Sequence, residues 1–104
     1  MLLLLFLGLC GGRLVSHEWV VKYTVTAPDG FPRRVIGVRP LQQATFGERV
    51  FPGPLIEAHV GDTVQVNVHN LLSEPTTLHF HGLRMRNNLW QDGAYGITEA
   101  GIPP

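Results

Sequence analysis

The stretch Ile56-Glu57-Ala58-His59-Val60-Gly61-Asp62-Thr63-Val64-Gln65-Val66-Asn67-Val68-His69 carries the clearest pattern in this 104-residue sequence. Ile56, Ala58 and Val60 alternate with Glu57 and His59, Gly61-Asp62 interrupts with turn chemistry, and the alternation resumes as Val64, Val66 and Val68 against Gln65, Asn67 and His69. Successive side chains of a β-strand point to opposite faces, so a period of two predicts two half-buried strands joined at Gly-Asp, the arrangement of a hairpin.

Working toward the N-terminus, Arg33–Val38 (RRVIGV) reads as a short strand and Glu18–Thr26 (EWVVKYTVT) as a longer one. Aromatic and β-branched residues suit a pleated, half-buried surface, and Pro28-Asp29-Gly30 supplies the turn between them. Arg39–Val50 has no period, contains Pro and Gly, and reads as a loop. Toward the C-terminus, Leu71–Pro75 is a connector and Thr76–Leu83 (TTLHFHGL) a further strand, with Leu78 and Phe80 opposite His79 and His81. No segment has a helical period and no internal repeat occurs. With 12 Gly, 8 Pro and 44% hydrophobic residues, the chain is too apolar for disorder and is punctuated as short strands joined by turns. The expected fold class is all-β.

Met1–Gly12 (MLLLLFLGLCGG) is an apolar run closing in small residues, shorter than the roughly 20 residues a membrane span needs. It reads as the core of a signal peptide over residues 1–16, cleaved after Gly12 or Ser16. A single domain over residues 17–104 follows, placed outside the cell or in the secretory-pathway lumen. Cys10 is the only cysteine, and Leu9 before it is larger than a lipidation site accepts. The processed chain would hold no disulfide and no thiolate ligand, which excludes a blue-copper electron-transfer site built from these residues alone. Lys plus Arg equals Asp plus Glu at 8 each, so no net field favours nucleic acid or an anionic membrane.

His79 and His81 carry the chemistry. At i and i+2 on a strand both imidazoles leave one face, with Cα atoms about 6.6 Å apart. Neutral imidazole is the usual nitrogen ligand for copper and zinc, so the pair can serve one metal or two neighbouring ones, with further ligands from elsewhere. Gly82 directly after the pair lets the backbone pass close to whatever sits there. A cupin would place Glu four or five positions after the second His, where Met85 and Arg86 stand, and an α-type carbonic anhydrase needs a third His downstream, where none occurs. His59 and His69 read as solvated residues of polar strand faces. His17 would chelate copper only as a newly exposed N-terminus.

Four ordered segments give the pair a context: Phe51-Pro52-Gly53-Pro54 with Leu55–Ala58; Val60-Gly61-Asp62-Thr63 running into Val66–Asn70; Thr77-Leu78-His79-Phe80-His81-Gly82-Leu83; and Trp90-Gln91-Asp92-Gly93 followed by Gly96–Glu99. In that order they resemble the N-terminal, plastocyanin-like (cupredoxin) domain of the multicopper oxidases of laccase, ascorbate oxidase and ferroxidase type, over most of residues 18–104.

The resemblance implies a Greek-key β-sandwich of cupredoxin type, incomplete at its C-terminal end. It also implies copper as cofactor, with His79 a type 2 ligand, His81 a type 3 ligand, and Asp92 the acidic group that manages protons beside the cluster. The implied reaction oxidises a reducing substrate (a phenol, ascorbate or a metal ion) and reduces O2 to water, with the remaining copper ligands supplied by C-terminal domains. Trp90 reads as packing.

Three departures accompany the match. Arg39–Val50 stands where the family runs through a short Asn-Gly turn, and reads as a surface loop or an error in the gene model. Ala100 stands where many relatives carry cysteine. The sequence stops at Ile102-Pro103-Pro104, before the family's second His-x-His. As an isolated 104-residue chain it is therefore expected to be inactive, supplying one His pair. A secreted, non-catalytic copper-binding module and a non-functional truncated product are the alternatives.

Overall fold

The computed structural model describes residues 2–6, 11–43 and 51–104. Four strands form one open sheet in the order β1-β4-β2-β3, where β1 is Leu2–Phe6, β2 Leu14–Thr26, β3 Arg33–Pro40 and β4 Thr63–Asn70. β2 and β3 form an antiparallel pair, β4 runs parallel to β2, and β1 lies antiparallel along the other edge of β4. One short 3-10 turn at Leu89–Gln91 is the only helical element among the described residues. The all-β expectation holds, and an open sheet of this kind suits a cupredoxin-type fragment.

The β2–β3 hairpin closes where its composition predicts. Gly30 N–H donates to the Ala27 carbonyl at 3.1 Å, Phe31 N–H to Asp29 Oδ1 at 3.2 Å, and Arg33 pairs with Asp29 at 2.8 Å. The Asp29 side chain thus takes one backbone donor of the turn, Phe31 N–H, and one side-chain donor, Arg33. β2 begins at Leu14, earlier than the expected Glu18, so the leader expected at 1–16 overlaps β1 and the first residues of β2. Of the expected 39–50 loop, Arg39 and Pro40 belong to β3, and residues 44–50 lie outside the described residues, as does Cys10.

The valine alternation of β4 is realised. Val64, Val66 and Val68 are buried, and with Trp19 and Val21 of β2 they face Leu72, Met85 and Ile102 in one core. Leu78, Phe80, Ile56, Tyr23 and Val38 pack against its rim. The sheet's other face carries Ser16, Glu18, Lys22 and His69, with Val20 buried among longer polar neighbours.

Two expected strands are corrected. Residues 55–60 form no strand and no hairpin with β4. Leu55 and Val60 are exposed, and the edge of β4 that a hairpin partner would occupy is taken by β1, with β2 on its other side. The segment is held instead by Asp62, whose buried carboxylate accepts the backbone N–H groups of His59 and Arg13, each at 2.9 Å. Those two donors hold the Asp62 pKa below its ordinary value, with the Arg13 guanidinium, 3.8 Å away, reinforcing them.

Thr76–Leu83 is likewise no continuous strand. Thr76 alone pairs, antiparallel, with Ile102 through two backbone bonds of 3.1 and 2.7 Å, and the residues after it lack a neighbouring ladder. Burial still alternates, because Leu78 and Phe80 seek the core whether or not a ladder forms.

Candidate metal centre

Residues 71–104 cover the apolar face of the sheet as irregular chain and present the candidate residues outward. Asn70, at the end of β4, anchors this cover: its Nδ2 donates to the carbonyls of Glu74 and Ile102, both at 2.9 Å, and its Oδ1 accepts Leu72 N–H at 3.0 Å. One buried amide therefore ties both ends of the cover to the sheet.

With Leu78 and Phe80 turned inward, His79 and His81 are left exposed on the outer side. Their rings are edge-to-face, centroids 5.6 Å apart at 79°. His81 and Gly82 occupy the middle of a turn closed by Leu83 N–H on the Phe80 carbonyl at 3.3 Å, and Gly82 has φ +87°. A positive φ at the third turn position is the glycine requirement of a type II turn. The space around Gly82 is open, and its positive φ is what the turn requires.

Asp92 comes to the same place from 13 residues away. The 3-10 turn, closed by Gln91 N–H on Asn88 O and Asp92 N–H on Leu89 O at 3.1 Å each, delivers it beside His79. The Asp92 main-chain oxygen lies 2.6 Å from His79 Nδ1, and carboxylate Oδ1 lies 3.7 Å from the same nitrogen. The side chains of His79 and Asp92 are 45% and 30% exposed, so this is an open site on the outer side of the cover.

The structure thus brings together all three residues expected at the site. It separates the other histidines: His59 Nδ1 sits 3.2 Å from Arg13 Nη2, His69 Nε2 sits 3.1 Å from Glu18 Oε2, and His17 lies within β2 with Nε2 buried and unpartnered. Hydrogen bonds from Asn67 and His69 lower the Glu18 pKa. Trp90, expected to pack, is 64% exposed. In the fourth segment, Glu99 has both carboxylate oxygens buried without partners, and burial raises its pKa.

Two imidazoles fit copper in ligand chemistry, and a neighbouring carboxylate fits a site that handles protons. Among the described residues no group of three or more His, Cys, Asp or Glu converges on a metal position, so this chain offers a pair of ligands and not a closed site. No helix among the described residues is long and apolar enough to cross a membrane. Sequence reasoning missed Asn70 and the main-chain contact of Asp92. The first stood within a strand pattern, and the second has no signal beyond the Asp-Gly dipeptide.

Residues 20–104 match the family model described as multicopper oxidase. Dihydrogeodin oxidase of Aspergillus terreus is 38% identical over 95 residues, covering 89% of this chain and 14% of that protein. Laccase-1 of Cryptococcus neoformans var. neoformans serotype D is 45% identical over 89 residues, covering 86% of this chain and 13% of that protein. Monocopper oxidase-like protein SKS1 of Arabidopsis thaliana is 43% identical over 90 residues, again 86% of this chain and 14% of the relative. The chain spans about one-seventh of the length of the curated relatives it matches. The matched region holds the His pair, its turn and the Asp-Gly loop together, and the chain belongs to the multicopper oxidase family.

Proposed function

We propose that this chain forms the first part of a secreted, copper-dependent oxidase, in which His79 is a type 2 and His81 a type 3 copper ligand. The observation that carries this reading is the outward pair of imidazoles set beside Asp92 on a surface loop, in a chain of this family. Copper bound there would pass electrons, taken one at a time from a phenol-like or metal-ion substrate, to dioxygen. The protein's own residues do the rest. Leu78 and Phe80, packed against the core, hold the two histidines outward. Reduction of dioxygen to water consumes protons, and in this reading the Asp92 carboxylate, part-exposed beside His79, takes them from solvent and releases them at the site. The remaining copper ligands come from other segments, because the described residues supply only the pair.

The test is copper titration of the chain, followed by electron paramagnetic resonance and isothermal calorimetry. One equivalent or more of Cu(II) with nitrogen hyperfine structure is expected, lost in His79→Ala and in His81→Ala. Copper uptake unchanged in both variants would refute the ligand assignment. N-terminal sequencing of material exported from a eukaryotic host tests secretion, with a first residue of Arg13 or His17 expected.

A second reading, a copper-binding module without oxidase activity, is favoured by the two-ligand site and the monocopper oxidase-like relative. Copper binding without oxygen consumption in the full-length protein would select it.

A further inference from the structure

We propose that Gly93 is a positioning residue: it lets the Asp92 main-chain carbonyl reach His79 Nδ1, which fixes the proton on that nitrogen and leaves Nε2 as the metal-accepting atom. The inference rests on reading His79 as a copper ligand and adds how its ring is prepared.

A carbonyl oxygen has no proton to give, so the 2.6 Å contact between Asp92 O and His79 Nδ1 is a hydrogen bond only when Nδ1 carries the hydrogen. Neutral imidazole has one N–H, so Nε2 is then the lone-pair nitrogen. A ligating histidine commonly donates its second nitrogen in this way, which holds the ring's orientation and raises its basicity. The Asp92 carboxylate cannot substitute, because its Oδ1 is 3.7 Å from Nδ1, beyond a hydrogen bond.

The contact depends on the next residue. Gly93 is buried and has φ +79°. A Cβ built on it would lie 2.1 Å from the Leu78 carbonyl oxygen, 2.7 Å from the Leu78 carbonyl carbon and 3.1 Å from His79 Cα. All three atoms are backbone of the segment that bears His79, so no side-chain rotation relieves the overlap. The loop is held on both sides, by the 3-10 turn before Asp92 and by Ala94 N–H on Thr98 Oγ1 at 3.0 Å after it. Any side chain at 93 therefore pushes the loop off residues 78–79 and withdraws the carbonyl from His79. The main chain at 92 and 93 sets the histidine, while the Asp92 side chain remains free for protons.

Long-range proton–nitrogen correlation spectra of the metal-free, nitrogen-15-labelled chain, recorded at mildly alkaline pH, read the tautomer of each histidine. His79 is expected as the Nδ1–H form in the wild type and in Asp92→Asn, which keeps the carbonyl, and as predominantly Nε2–H in Gly93→Ala. Copper affinity of Gly93→Ala is expected to fall about 10–100-fold, the usual cost of losing a ligand's supporting partner. A wild-type His79 in the Nε2–H form overturns the inference, as does an unchanged Nδ1–H form in folded Gly93→Ala. If Gly93→Ala does not fold, the wild-type and Asp92→Asn spectra still decide, since the Nε2–H form in either rejects it. A wild-type His79 in the Nδ1–H form combined with no copper uptake would instead overturn the copper reading and leave the tautomer assignment standing.

Discussion

Within β2, β3 and β4 order comes from repetition, with backbone groups paired along the strand ladders and the alternate residues Trp19, Val21, Val64, Val66 and Val68 buried in one core. Residues 71–104 have no such ladder. They are ordered by a few specific links: the three hydrogen bonds of Asn70, the Thr76–Ile102 bridge, the His79–Asp92 contact and the Gly93 backbone approach. In the sheet the load is spread over many equivalent interactions, whereas in the cover each link is unique. The candidate metal residues sit in the second kind of structure. Their geometry is accordingly sensitive to the loss of a single link.

The largest expected effect lies in the sheet. Val66 is 0% exposed at the centre of the core, so Val66→Ala should cost about 2–3 kcal/mol by loss of burial plus a cavity. Urea denaturation measures it, and copper affinity of the remaining folded protein should be unchanged. A loss of copper affinity in that variant would break the separation between the two regions.

Asn70 joins the regions and comes next. Asn70→Ala strips hydrogen-bond partners from three backbone groups and should cost about 2 kcal/mol. Here amide hydrogen exchange should quicken across 72–76 and at Ile102 well before the protection of β2 and β4 is lost. Uniform loss of protection would show that sheet and cover open as one unit.

Acid sensitivity is expected from Asp62. Its pKa is held below the ordinary 3.8 by the His59 and Arg13 N–H groups. The stability it contributes is therefore present above 3.8 and is lost as pH falls through the lower folded-state value. Glu18, lowered chiefly by its Asn67 hydrogen bond, acts with the same sign. Glu99 acts with the opposite sign: burial raises its pKa above 4.5, so its contribution is present at low pH and is lost as pH rises through the folded-state value. Asp62→Asn places an amide nitrogen against one of the two N–H donors. It should lower the melting temperature at neutral pH and flatten its fall on acidification, and an unchanged acid slope would contradict this role.

The smallest effect is expected at the site itself. His81 is exposed and at the tip of a turn, so His81→Ala should change stability by about 0.5 kcal/mol or less while weakening copper binding. A large stability loss would mean that the ligand also supports the cover.

The legibility of the sequence follows the same division. The Val64-Val66-Val68 alternation and the Pro28-Asp29-Gly30 turn were readable because period and turn chemistry are local. The alternation at Ile56–Val60 was equally clean and misleading, since a strand needs a free neighbouring edge as well as a pattern. For Thr76–Leu83 the pattern correctly sorted Leu78 and Phe80 from His79 and His81, although no ladder formed. His79 and His81 stand out as candidates by residue type and spacing, because the chemistry they offer belongs to the side chains, whereas Asp92 enters only through the motif order that resembles the family.

By itself, then, the sequence determined the all-β class, the buried valine face and the family, and it named the candidate residues for which copper binding is proposed. Composition, period two and motif order are properties of the chain. Only the tertiary structure decided that β4 pairs with β1 and β2, that the cover is tied down by Asn70, and that Asp92 meets His79 through its backbone. Those depend on which groups distant in sequence arrive within a hydrogen bond of each other, and backbone carbonyls are identical in every residue until the fold places one of them.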